Sequence, residues 1–206
     1  MNSLYNISIW FYVVAVYFAA LFNAKAKLWV KGRKNIFDKL VEATKGEQNI
    51  VWFHCASLGE FEQGKPIIQA YKAKYPSHKI LLTFFSPSGF EIRKNYEGVD
   101  WVFYLPADTK SNAKKFISIV KPIKVIFIKY EFWFNYIAEL KKQNIPFYSV
   151  STIFRKEQVF FKYKWFAKQL NNVSHFFVQD KNSKELLKNL GFANCTVAGD
   201  TRFDSV

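Results

Sequence analysis

The sequence predicts an α/β domain built on a mostly parallel, doubly wound sheet, preceded by an apolar N-terminal helix. Three observations lead there. From residue 49 onward, short β-rich runs alternate with amphipathic stretches of helical period. Half the residues are hydrophobic and only 22% are charged, which excludes a disordered or low-complexity chain. Residues 4–22 are apolar except for Asn6 and Ser8, close to the roughly 20 residues that cross a bilayer core. A chain of 206 residues is enough for one domain, or one domain with an appendage.

Residues 49–54 read as a buried strand and 61–75 as a helix, because Ile67, Ile68, Tyr71 and Tyr75 recur at helical spacing. Residues 79–84 form the next strand, with a helix from Ser88. A third strand, 101–105, is stopped by Pro106. Residues 112–120 are helical, 125–128 a strand, and 132–143 a helix closed by Asn144 and Pro146. Then come a strand at 147–150, a helix at 158–170, a strand at 176–178, a helix at 183–190 ended by Gly191, and a strand at 196–198. Such alternation implies right-handed βαβ units. Ligands of these sheets bind beyond the carboxyl ends of the strands. The loops to inspect are 54–60, 84–89, 105–108, 128–135, 151–155, 179–182 and 199–204.

The expected organisation is a membrane-anchor helix over 1–24, a basic juxtamembrane segment over 25–48 and an α/β domain over 49–206. Trp10, Tyr12 and Tyr17 suit a membrane interface, and Lys25, Lys27, Lys31, Arg33 and Lys34 follow at once. The positive flank predicts that the C-terminal side stays cytoplasmic. No positive charge precedes the apolar run, so a cleaved signal peptide does not fit. A helix packed on a soluble core, or one lying in the interface, is the alternative.

Thirty Lys and Arg against 16 Asp and Glu give a net charge of +14, which favours anionic partners. Cys55 and Cys195 form no metal or redox spacing, and His54, His78 and His175 no zinc spacing, so no metal site is predicted. The dinucleotide fingerprint G-x-G-x-x-G is absent.

The first post-strand loop, His54-Cys55-Ala56-Ser57-Leu58-Gly59-Glu60, places Ser57, Gly59 and a carboxylate at a helix start. Glu60 there can accept a proton from an attacking hydroxyl; it is equally an ordinary first-turn Glu favoured by the helix dipole. Ser86, Ser88 and Gly89 repeat the theme, as acceptor contacts or as a helix cap. Lys129 and Glu131 beside Trp133 suit a sugar or carboxylate site, or a structural salt link. The stretch 154–168, with Arg155 and Lys162, interleaves cations with aromatics. A membrane surface, a phosphorylated glycolipid, nucleic acid or a helix with one buried face would each explain it.

Several of these runs together resemble a known family. Trp52-Phe53-His54-Cys55-Ala56-Ser57-Leu58-Gly59-Glu60 resembles W-x-H-x-x-S-x-G-E, and Ser86-Pro87-Ser88-Gly89 resembles T-P-T-G. Tyr104-Leu105-Pro106-Ala107-Asp108 resembles Y-L-P-x-D, and Glu131-Phe132-Trp133-Phe134-Asn135 resembles E-L-W-P-N. Gly199-Asp200-Thr201-Arg202-Phe203-Asp204 resembles G-x-x-K-F-D. In this order they are the motifs of the 3-deoxy-D-manno-octulosonic acid (Kdo) transferases of Gram-negative bacteria.

The resemblance implies the N-terminal, Rossmann-like, acceptor-binding half of a GT-B glycosyltransferase. It would work at the cytoplasmic face of the inner membrane without a cofactor or metal. The donor would be CMP-Kdo, bound mainly by a C-terminal domain absent from this sequence, so that the chain alone would be inactive. The acceptor would be a lipid A precursor. Glu60 falls on the family's general base and Arg202 on its K-F-D lysine. Two departures stand out. The family's first motif Glu is Lys129 here, so either Glu131 substitutes for it or Lys129 binds a phosphate or the Kdo carboxylate. Arg155 is displaced by two places from the Arg of N-A-R-L-S. The expected partners are lipid A precursor, anionic membrane lipid and CMP-Kdo, with no nucleic acid. A non-catalytic module holding anionic glycolipid at a membrane surface is the rival reading.

Overall fold

A computed structural model describes residues 2–129 and 131–201 of the chain. Three helices come first: α1 (Asn2–Ala19), α2 (Ala24–Gly32) and α3 (Ile36–Ala43). The strands are β1 (Ile50–Cys55), β2 (Lys79–Phe84), β3 (Trp101–Tyr104), β4 (Lys124–Ile128), β5 (Phe147–Thr152), β6 (His175–Val178) and β7 (Cys195–Val197). Between them lie α4 (Leu58–Lys74), α5 (Pro87–Arg93), α6 (Lys110–Val120), α7 (Phe134–Lys142), α8 (Val159–Lys162), α9 (Lys164–Gln169) and α10 (Lys181–Asn189). All seven strands are parallel, in the order β3-β2-β1-β4-β5-β6-β7. The order reverses between β1 and β4, the topological switch point where such sheets open a crevice.

β1 is buried on both faces, as a central parallel strand must be. Its alternate residues divide between two apolar clusters. Val51, Phe53 and Cys55 meet Phe61 and Ile68 of α4, while Ile50 and Trp52 meet the side that holds α3, α6 and α7. Gly64 lets α4 lie close to the sheet, since a Cβ there would sit 2.9 Å from Ile128 Cγ1 and 3.1 Å from Cys55 Sγ.

Three regions depart from the sequence reading. The apolar run expected to anchor the chain across a membrane does not form one straight span. No single described helix is long and apolar enough to cross a membrane; α1 and α2 meet that test only as a pair bent by 118°. One side of α1 is fixed to the domain: the Tyr5 hydroxyl donates to Asp108 Oδ2 (2.5 Å), and Asn135 Nδ2 donates to Asn6 Oδ1 (3.0 Å). The opposite side exposes Leu4, Ile7, Phe11, Val14 and Phe18, at helical spacing.

Residues 25–48, read as a basic juxtamembrane segment, fold as α2 and α3 and bury Trp29, Ile36 and Leu40. Arg33 is not a solvated flanking charge. Its guanidinium stacks 3.8 Å from the Trp29 ring and 4.7 Å from that of Tyr104, and it donates to the carbonyls of Leu105, Phe85 and Trp29. Aromatic faces and carbonyl oxygens together replace its water shell.

The third departure is the expected helix over 158–170. It breaks into α8, α9 and a 3₁₀ turn (Leu170–Asn172). Phe154 and Phe160 enter the core, and Phe161, Trp165 and Phe166 pack against it. A buried aromatic face therefore accounts for most of the spacing that a lipid surface would also explain; Arg155 and Lys162 stand exposed, along with Val159 and Tyr163.

Asp108 ties these parts together. Its carboxylate accepts from the Tyr5 hydroxyl and from the backbone N–H groups of Asn135 (3.1 Å) and Tyr136 (3.0 Å), at the start of α7. A carboxylate there satisfies orphan donors and favours the helix dipole. Asp108→Ala is expected to cost about 3 kcal/mol in urea denaturation, and Tyr5→Phe about 1 kcal/mol, because the first strands several donors and the second removes one bond.

Candidate active site

The switch point gathers residues from the ends of β1 and β4. The chain leaves β1 at Cys55 and enters α4 after Ser57, and Glu60 lies in the first turn of α4. Its Oε2 accepts from the Ala56 N–H and the Ser57 N–H, the latter at 3.2 Å. This is the carboxylate half of a capping box. Among the described residues both donors go to Oε2, which leaves Oε1 without a fixed partner. Glu60 is only 8% exposed. Burial first, and then the neighbouring Glu131, push its carboxyl up to about 7, against the pull of the two amides and Lys129. Glu131 is itself raised by burial.

The second motif loop adjoins the first. The Ser86 N–H donates to the Ala56 carbonyl (2.7 Å), and Ser86 Oγ caps α5 by accepting from the Ser88 N–H (3.3 Å). A Cβ on Gly89 would fall 2.3 Å from the Phe84 ring and 3.1 Å from the Leu58 nitrogen. Gly89 thus lets the two helix starts approach. Gly59 is exposed and faces open space.

His54 holds the third loop. Its ring is fully buried, with Nδ1 bonded to Thr83 Oγ1 (2.9 Å) and Nε2 accepting from Trp133 Nε1 (3.2 Å). Burial lowers its pKa to about 3, so it stays neutral and works as a connector. Cys55 points to the opposite face, into the cluster with Phe61. No metal-binding group of three or more His, Cys, Asp or Glu occurs among the described residues.

Beside Glu60, at the carboxyl ends of β4, β5 and β6, lies a cavity of about 450 Å³ lined by Lys129, Arg155, Gln63, Ser151 and Gln179, among others. Lys129 therefore faces both Glu60, whose charge it stabilises, and this cavity. Lys162, at the end of α8, does not line it. Arg202 lies outside the described residues. Sequence reasoning did not single out Gln63, Ser151 and Gln179; Ser151 lies at the end of β5 and Gln179 directly after β6, inside loops marked for inspection, but neither stands in a motif.

Residues 31–205 match the family model described as 3-Deoxy-D-manno-octulosonic-acid transferase (kdotransferase). The chain belongs to this family. It is 36% identical over 101 residues to the 3-deoxy-D-manno-octulosonic acid transferase of Aquifex aeolicus, a stretch that is 48% of this chain and 27% of that protein. With the Haemophilus influenzae enzyme of the same name it shares 33% over 98 residues, 47% of this chain and 23% of that one. The match thus spans about a quarter of the length of these relatives. Among solved structures, the fold is like that of UDP-GlcNAc 2-epimerase from Neisseria meningitidis. There the TM-score is 0.56 at 14% identity, over 75% of this chain and 47% of that one. The parallel seven-stranded sheet with its flanking helices is thus Rossmann-like, as in that neighbour.

Glu60 leaves a signature in stability. Its carboxyl rises from 4.5 to about 7 on folding, so its contribution is fully present below pH 4.5 and lost as pH climbs through 7. Glu60→Gln stays neutral and keeps an oxygen for the two amides. It is expected to gain on the wild type between pH 5 and 8, by up to about 3 kcal/mol in urea denaturation.

Proposed function

We propose that this chain is the acceptor-binding half of a Kdo transferase of lipopolysaccharide biosynthesis, an inverting glycosyltransferase that needs no metal cofactor. In this reading CMP-Kdo is the donor, held mainly by a second domain, and the acceptor is a lipid A precursor. The observation that carries it is the position of Glu60: a buried carboxylate with one free oxygen at the switch point, its proton affinity raised to about 7. A base poised near the working pH serves a sugar hydroxyl best, since that oxygen becomes acidic only as it begins to bond.

The step balances as follows. The acceptor oxygen attacks the anomeric carbon of Kdo while the bond from that carbon to the CMP phosphate oxygen breaks. The electron pair leaves with CMP, and the hydroxyl proton passes to Glu60 Oε1. Leaving-group charge is met by cations and helix N-termini, for which Arg202 is the candidate on this chain. Glu131 stands as a second carboxyl beside the base, and Ser57, Ser86 and Ser88 edge the groove for the acceptor.

The membrane side of the reading rests on α1. Its exposed face carries Leu4, Phe11 and Phe18, each more than 60% exposed, and Leu21 and Phe22 follow at the bend. A continuous apolar face of this kind marks an interaction surface, here the cytoplasmic face of the inner membrane. The basic residues of α2 complement its anionic lipids.

Two outcomes test this. With the donor-binding half supplied, Glu60→Gln is expected to cut Kdo transfer to a lipid A precursor by about 10²-fold or more while CMP-Kdo still binds; unchanged turnover would sink the assignment. Phe11→Ser with Phe18→Ser should release the chain from anionic vesicles in a flotation assay without lowering its melting temperature.

A further inference from the structure

We propose that the cavity at the carboxyl ends of β4, β5 and β6 is an oxyanion subsite, holding a phosphate or carboxylate of a bound sugar between Lys129 and Arg155. This rests on the transferase reading of the neighbouring Glu60, and adds to it the substrate group that the cavity takes.

Among the described residues the lining carries two cations and no carboxylate. Neither Lys129 nor Arg155 is in an ion pair among the described residues. Their charges are left for a ligand. The neutral groups around them bond to one another. Gln63 and Ser151 are almost wholly buried, and the Gln179 amide donates to Ser151 Oγ (2.9 Å) and to the Ser151 carbonyl (3.1 Å). Thr201 Oγ1 closes the set by donating to the Gln63 carbonyl (2.7 Å). These bonds use the donors of Gln179, Ser151 and Thr201 within the protein and stiffen the cavity wall, so recognition of an anion rests on the two cations.

The backbone supports the assignment independently. Lys129 (φ 64) and Ser151 (φ 56) both occupy the left-handed region, at the ends of two neighbouring strands. Non-glycine residues seldom adopt it, and such outliers gather at functional sites. Here each is held in place. The Lys129 carbonyl accepts from Ser149 Oγ (3.1 Å) and Thr152 Oγ1 (3.0 Å), and Ser151 sits at a register shift between Val150 and Thr152. The chain keeps a costly conformation at both residues that bound the cavity.

Equilibrium binding to the 206-residue chain, at low and matched ionic strength, tests this with two probes: glucosamine 1-phosphate for a phosphate and free Kdo for a carboxylate. Binding of the first assigns the cavity to the acceptor phosphate, and of the second to the transferred sugar acid. In either case Arg155→Gln, an exposed position, should weaken binding about tenfold, Lys129→Gln should do the same, and Lys129→Arg should largely restore it. Glu60→Gln should not weaken binding even where it abolishes transfer, which separates this subsite from the catalytic reading. If neither probe binds, or if the folded double variant of Lys129→Gln and Arg155→Gln binds as the wild type does, the subsite is overturned.

Discussion

Two backbone N–H groups at the exit of β1 converge on one oxygen of Glu60, and the site is laid out from that contact. The same bonds satisfy donors that would otherwise be stranded at the start of α4. A capping carboxylate is usually solvated and inert. This one is buried, so desolvation and Glu131 raise its proton affinity, while the amides and Lys129 stop the rise near neutrality. The helix start and the candidate base are therefore one structural device: moving the carboxylate would disturb the turn, and loosening the turn would misplace the carboxylate.

What keeps the other loops in register with that base is a chain of neutral contacts. His54 bridges Thr83 of β2 and Trp133 of the loop before α7, so the Glu131 segment is tethered to β1, the strand that leads into α4 and Glu60. Asp108 fixes the start of α7 from the other side. Because His54 stays uncharged, its part of the tether does not switch with pH where Glu60 titrates, whereas the Asp108 carboxyl, pushed up to about 6 by burial, titrates close to it.

The alternation of strands and helices was legible in the sequence because parallel strands buried on both faces read as unbroken apolar runs, as in β1 and β4. So were the places to search, since every cavity-lining loop named above follows a strand. Less legible was anything that depended on packing across the sheet. Arg33 counts as a charge in sequence, and only the ring faces of Trp29 and Tyr104 make it a buried post. For Phe154 and Phe160 a lipid-facing surface and a buried face stood side by side, because the period that marks a membrane face is also the period of a core face. The bend between α1 and α2 is a tertiary choice: Tyr5 and Asn6 find partners on the domain that a straight span would forgo.

Lys129 carries the remaining consequence. A carboxylate in its place would put three acidic groups around one crevice and drive Glu60 further from ionisation. A lysine does the opposite and lets Glu60 act as a base near neutral pH. Because the same ammonium lines the oxyanion cavity, the two functions share one charge. An anion seated against Lys129 would offset its field at Glu60, and so raise the proton affinity of the carboxyl and favour its protonated form. By linkage, protonating Glu60 frees Lys129 for the anion to the same degree. In the proposed subsite, the departure from the family's acidic motif would thus link anion binding to the protonation state of Glu60 through a single residue.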